Sequence, residues 1–163
     1  MEPEFFHLDS SQIPSWEDAY TQFKLIAGEA FGRKSPVPVY SKLYMLEIKS
    51  KIRQHIKIGH ELYGESGLYI LEGSIESEGN TYLPKQILIA KDSSLCEFVM
   101  EANTSIYIFG GELFPEERFI DWNFVGSSKE IISDAREKWI KQGFPKIKGD
   151  ENEFVPYPSS LRK

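Results

Sequence analysis

Apolar and polar positions alternate over short distances along most of this chain, which is the period of half-buried strands. Phe23 to Ile26 reads as a short strand stopped by Gly28. Tyr40 to Ile48 reads as a second, with Leu43, Met45 and Glu47 on one face and Tyr44, Leu46 and Ile48 on the other. His55, Lys57 and Gly59 alternate with Ile56 and Ile58 in a third. Gly67 to Glu72 is a strand ended by Gly73, and Ser74 to Glu78 leaves it again. Glu78-Gly79-Asn80 is a turn signal, because glycine supplies the left-handed backbone that tight hairpins need. Thr81 to Leu83, Ile87 to Ala90, Leu95 to Met100 and Ser105 to Phe109 complete the series. Between the first two strands, Gly32, Pro36 and Pro38 make Phe31 to Pro38 a loop, since proline cannot donate to a sheet ladder. Many short strands with frequent turns predict an all-β barrel or sandwich.

The pattern changes near the C-terminus. Tyr107 to Phe109 runs into Gly110-Gly111, read as a strand stop, and Pro115 forbids a simple hairpin return. Phe119 to Val125 is aromatic-rich and extended. Ser127 and Glu130 have the spacing of a capping box, which predicts a helix running to about Gln142. Ile131, Ala135 and Trp139 recur on one face, while Asp134/Lys138 and Glu137/Lys141 pair on the other. Gly143 sits where a left-handed C-cap residue is wanted. Residues 1–20 carry no sustained period, although the Ser15/Asp18 spacing can open one helical turn. The layout predicted is an N-terminal extension (1–20), a barrel (21–126), and a helix with a tail (127–163) packed on it, as one domain.

Composition narrows the class. A chain of 163 residues with 40% hydrophobic and 27% charged residues can bury a core and is globular rather than disordered. A net charge of −6 argues against direct nucleic-acid binding, which rests on phosphate contacts. The single cysteine, Cys96, excludes an internal disulfide, fits a reducing compartment and reads as a small core residue. No apolar run approaches the roughly 20 residues of a membrane span, and the acidic start Met1-Glu2-Pro3-Glu4 lacks the basic opening of a signal peptide. A cytoplasmic protein is expected. Trp122 and Trp139 read as core packing, His55 as an exposed strand residue, and His7 as part of the extension. No glycine-rich phosphate loop and no Ser/His/Asp or Cys/His set with recognisable spacing occurs.

Several segments together resemble one family. Gly110-Gly111-Glu112 is followed by Arg118, Trp122-Asn123-Phe124-Val125, a Ser-Ser pair and a helix ending near Trp139. Phe144-Pro145-Lys146, Gly149, Glu153 and Phe154-Val155-Pro156-Tyr157-Pro158 extend the match, as do Ile26-Ala27-Gly28-Glu29 and Tyr69-Ile70-Leu71-Glu72-Gly73 earlier on. Over roughly residues 5 to 158 the chain resembles the C-terminal half of pirins, which are two-domain cupins. The resemblance implies a cupin-type jelly-roll β-barrel with one C-terminal α-helix. It also implies that the pirin metal, held by three histidines and a glutamate in the N-terminal domain, belongs to a half absent from this sequence.

Cupin ligand motifs can still be laid on the chain. The first, G-x5-H-x-H-x3–4-E-x6-G, ends on Gly73 and places its histidines on His60 and Leu62 and its glutamate on Ser66, with Glu65 one position away. The second, P-x-G-x-x-H, begins at Pro84 and puts its glycine on Gln86 and its histidine on Ile89. Three of four ligands are thereby replaced, whereas a mononuclear site generally takes three or more from the protein. The expectation is no cofactor and no catalytic residue, with His60 and Glu65 as pocket candidates. The reading favoured is a metal-free binding module for a small molecule or a protein partner, self-associating as a homodimer. The first alternative is a cupin enzyme, either similar to the quercetin dioxygenases among pirins or metal-free with His60 as acid or base. The second is a structural half that completes an assembly.

Overall fold

A computed structural model describes residues 5–59, 61–90, 97–149 and 151–158. It divides into two compact units, His7–Leu113 and a second that joins Phe5 and Phe6 to the chain from Phe114 onward.

The first unit is built from β1 (Ser15–Asp18), β2 (Thr21–Ala30), β3 (Arg33–Lys34), β4 (Leu43–Ser50), β5 (Gln54–Lys57), β6 (Glu65–Glu72), β7 (Ile75–Ser77), β8 (Asn80–Tyr82), β9 (Ile87–Ala90), β10 (Glu97–Met100) and β11 (Thr104–Gly111). A large sheet runs β1-β2-β4-β11-β6-β9, with β3 on β2, and a small one runs β5-β10-β7-β8. The paired strands are antiparallel. Alternation sends Leu25, Leu46, Ile48, Leu68, Ile70, Ile106 and Ile108 inward from the large sheet. Ile56, Ile75, Phe98 and Met100 meet them from the small one, forming one core. The arrangement is a jelly roll. Of the two faces that alternation separates on β4, the one carrying Tyr44, Leu46 and Ile48 is buried. The hairpin turn at Glu78-Gly79 has both residues at positive φ, +50° and +77°, and joins Ser77 to Asn80 as a two-residue loop.

One expected strand stop is not a stop. Strand β2 continues past Gly28 to Ala30, after a bulge at Ile26 that pairs Leu25 with Leu46 and Ala27 with Met45. Gly28 is needed because its φ is +75° and a Cβ there would stand 1.7 Å from the Leu43 carbonyl oxygen. Strand β11 does end at the glycine pair, taking in Gly110 and Gly111 as its last two residues. A Cβ on Gly110 would lie 2.2 Å from the Glu65 carbonyl oxygen and 2.5 Å from the Tyr44 hydroxyl. At Gly28 and Gly110 the absence of a Cβ permits close strand packing. Ser15–Asp18 is a strand, not a helical turn: it pairs with Thr21–Lys24, and Trp16 stacks on Phe23 with ring centroids 5.2 Å apart. Cys96 lies outside the described residues.

The second unit holds the hairpin β12 (Phe119–Asp121) and β13 (Phe124–Gly126) and the helix α1 (Lys129–Ile140). Trp122 occupies the hairpin turn at φ +53°, costly for a bulky side chain. Its ring packs edge-on against Phe124, Trp139 and Tyr157 at 5.7, 5.3 and 5.6 Å, so burial of aromatic surface offsets the strain. The tail is fastened to this cluster. The Trp139 indole donates to the Val155 carbonyl at 2.8 Å, and the Tyr157 hydroxyl donates to the Asp121 carboxylate at 2.9 Å. Trp122 and Trp139 are thus packing residues, as their apolar context predicts.

The helix ends differ from expectation by one residue each. Ser128, not Ser127, is the N-cap, and its hydroxyl accepts from the Ile131 amide at 3.3 Å. The more buried face is Ile132, Ala135, Arg136 and Trp139, leaving Ile131 52% exposed. At the other end Gln142 takes the left-handed φ of +52°, not Gly143, whose amide donates to the Lys138 carbonyl at 2.8 Å. That is a Schellman ending displaced by one position. Of the two expected surface pairs, Glu137/Lys141 forms at 3.1 Å.

Two substitutions check these ends. Ser128→Ala should cost about 1 kcal/mol and Ser127→Ala close to nothing. Gln142→Gly should stabilise by about 1 kcal/mol, because glycine removes the left-handed strain. Urea unfolding read on the tryptophan signal of this unit measures both, and equal effects for the two serines would relocate the cap.

Candidate functional site

The interior of the jelly roll is where the sequence places a site. Leu62 is buried in the apolar core. Ser66, 2% exposed on β6, shares a 2.5 Å hydrogen bond with the Tyr44 hydroxyl of β4. Burial pushes the Tyr44 phenol up, partly offset by Ser66. Tyr63 packs edge-on against Tyr44 at 5.1 Å and donates to the Leu43 carbonyl at 3.0 Å. Gly110 leaves room for the Tyr44 hydroxyl. This hydroxyl pair was not anticipated, although the alternation of β4 already put Tyr44 on one face with Leu46 and Ile48.

The other predicted positions are not brought together. Glu65 is exposed at the start of β6. His60 lies outside the described residues. Ile89 does not face the interior: it is 68% exposed, and Leu88 and Ala90 pack inward instead. The second motif is therefore out of phase with β9 by one residue, and a one-residue slip reverses the face of every side chain. The correction leaves the chemistry unaltered, because leucine and alanine cannot ligate a metal either. Among the described residues, no three or more histidine, cysteine, aspartate or glutamate side chains converge. A buried leucine and a serine already engaged by tyrosine do not fit a cupin metal, which takes nitrogen and carboxylate donors.

The outer face of the large sheet carries polar chemistry instead. The Tyr107 hydroxyl donates to Glu47 at 2.8 Å, and Lys49 pairs with the same carboxylate at 2.8 Å. Burial raises the Glu47 carboxyl, but the bonds from Lys49 and Tyr107 and the charge of Lys24 outweigh it and hold the group below the usual carboxylate range. Lys49 is correspondingly raised by its bond to Glu47. Beside this network lies an open cleft of about 530 Å³, reaching from Tyr20 across Gln22 and Lys49 to Ser105 and Glu72.

The fold and its filled interior define a cupin-type domain. Comparison with known proteins specifies it further. The sequence model of the pirin C-terminal cupin domain matches residues 45–145. A pirin-like protein of Caulobacter vibrioides is 34% identical over 160 residues, covering 97% of this chain and 54% of that protein. A Pseudomonas aeruginosa protein provisionally named a quercetin 2,3-dioxygenase is 28% identical over 138 residues, covering 84% of this chain and 43% of its own length. The solved quercetin 2,3-dioxygenase of Acinetobacter baumannii superposes with a TM-score of 0.74 at 23% identity, covering 90% of this chain and 50% of that one. The chain belongs to the pirin family, and it spans about half the length of the curated relatives it matches.

The buried hydroxyl pair is testable as a unit. Ser66→Ala or Tyr44→Phe alone should cost about 1–3 kcal/mol, since each leaves a buried partner unsatisfied. The double variant should cost clearly less than the sum of the two. Strict additivity in a thermal-unfolding cycle would show that the two groups are not coupled.

Proposed function

We propose that this chain is a pirin-like cupin domain that binds a small molecule or a protein partner without turnover, with no metal in its barrel. One observation carries the reading. The positions at which a cupin presents metal ligands hold a core leucine, Leu62, and a serine, Ser66, whose hydroxyl is bonded to Tyr44. No catalytic step is derived from such a set. The domain works in the cytoplasm, consistent with a lone cysteine and with the absence, among the described residues, of a helix long and apolar enough to cross a membrane. Its favoured protein partner is a second copy of itself. Edge strand β9 exposes Ile87 and Ile89 on one side, and sheet edges of this kind accept further strands.

The enzyme reading has one specific support, the quercetin 2,3-dioxygenase name of the Pseudomonas and Acinetobacter proteins. Dioxygen activation on a flavonol needs an open metal position beside the substrate, which the residues at hand do not build. Tag-free protein decides between the readings. It should sediment as a dimer of the 18.8 kDa chain, contain no stoichiometric iron, zinc, copper or manganese, and leave quercetin unconsumed when iron is added. Turnover of quercetin would establish the enzyme, and one metal ion per chain lost in His60→Ala would overturn the metal-free barrel. A monomer would remove the self-association.

A further inference from the structure

We propose that the outer face of the large sheet carries a sugar-binding cleft lined by Ser105. The proposal rests on the reading of this chain as a binding module and names the chemistry of one ligand.

Ser105 is 5% exposed, and its hydroxyl has no hydrogen-bond partner, the one such buried side-chain atom among the described residues. An unsatisfied buried hydroxyl costs free energy, so an occupant that bonds it is stabilised by its presence. Ser105 lines a cleft of about 530 Å³, within the size range of small-ligand sites, with its hydroxyl buried just beneath the surface.

The neighbours of Ser105 are set by register. Lys49 faces it from β4 and Glu72 from β6. The second pairing depends on a bulge: Ser105 pairs with Glu72 and Ile106 with Ile70, which leaves Leu71 as the extra residue. Without that bulge, Leu71 would face the serine and the row would lose its carboxylate. Bulges commonly re-aim a side chain at a functional position. The row Gln22–Lys49–Ser105–Glu72 therefore places an amide, an ammonium donor, a hydroxyl and a carboxylate acceptor in line across four strands.

The ligand class follows from charge and shape. Lys49 and Lys51 in the lining are matched by Glu17 and Glu72, so the cleft selects no net charge. Lys49 is already held by Glu47, which leaves its remaining N–H groups for a neutral acceptor. Donors and acceptors alternating at short spacing suit vicinal hydroxyls, each of which gives and takes a hydrogen bond. At the rim, Tyr20 presents a ring that is 69% exposed, and Asn103 adds an amide. An aromatic face beside such a polar row fits the flat C–H face of a pyranose.

Amide NMR titration of the full chain with d-glucose, and separately with maltose, tests this. Shifts should be confined to the cleft, at Gln22, Lys49, Glu72 and Asn103, with a dissociation constant on the order of millimolar. Ser105→Ala should weaken sugar binding about tenfold. Its unfolding midpoint should hold or rise, because the variant removes an unpartnered polar group, so a loss of binding would not reflect a loss of fold. Tyr20→Ala should weaken binding as well. Absence of cleft shifts with both sugars, unchanged affinity in Ser105→Ala, or a cleft that responds to quercetin and not to sugar would each overturn the proposal. A metal-bearing, quercetin-consuming protein whose cleft still binds glucose would defeat the binding-module reading and leave this one standing.

Discussion

The first unit depends on aliphatic packing between two antiparallel sheets. Leu25, Leu46, Ile48, Leu68, Ile70, Ile106 and Ile108 meet Ile56, Ile75, Phe98 and Met100 with almost no solvent contact. Close-packed interiors leave little room for an additional group. That constraint decides function as well as stability. The same inward-pointing positions would have to supply nitrogen and oxygen donors in a metal-bearing cupin. At the described motif positions that point inward the chain supplies a leucine, Leu62, and a serine, Ser66, which is bonded to Tyr44. Where the core is satisfied by itself, polar chemistry is displaced outward, to the Glu47, Lys49 and Tyr107 network and the cleft beside it.

Much of this was legible in the sequence. The apolar run Ile87–Ala90 was located to the residue, and alternation separated the two faces of β4 correctly, because a half-buried strand prints its two environments directly on the chain. Family resemblance, carried by the Gly110 to Ser128 segment, supplied the fold and the family. The glycines were read incompletely. Gly28, Gly110 and Gly111 were read as punctuation, which holds for the last two, but all three sit where another backbone or the Tyr44 hydroxyl approaches too closely for a Cβ. Sequence shows that a glycine is present and not which of these demands it answers. The capping serine and the left-handed residue after the helix were each misplaced by one position for a related reason. Ser127 and Ser128 are chemically equal, and tertiary contacts of Ile132 and Trp139 choose between them.

The candidate site was less legible than the fold. A motif laid on β9 by spacing alone came out one residue out of phase, so Ile89 faces outward. The Tyr44–Ser66 pair joins residues 22 positions apart and has no local signature. Ser105 is an ordinary strand serine until the bulge at Leu71 aligns it with Glu72. Bulges arise from pairing between strands distant in sequence, which a one-dimensional pattern does not record.

The central claim is that this domain gains nothing from a transition metal, and ligand-linked stability tests it directly. Anything that binds the native state raises its unfolding temperature in proportion to the logarithm of its free concentration. The measurement is thermal unfolding of the tag-free chain across a titration of ferrous iron, zinc or nickel. The account predicts an unfolding temperature independent of metal. A temperature that climbs with metal concentration in the native chain and stays flat in His60→Ala would contradict it.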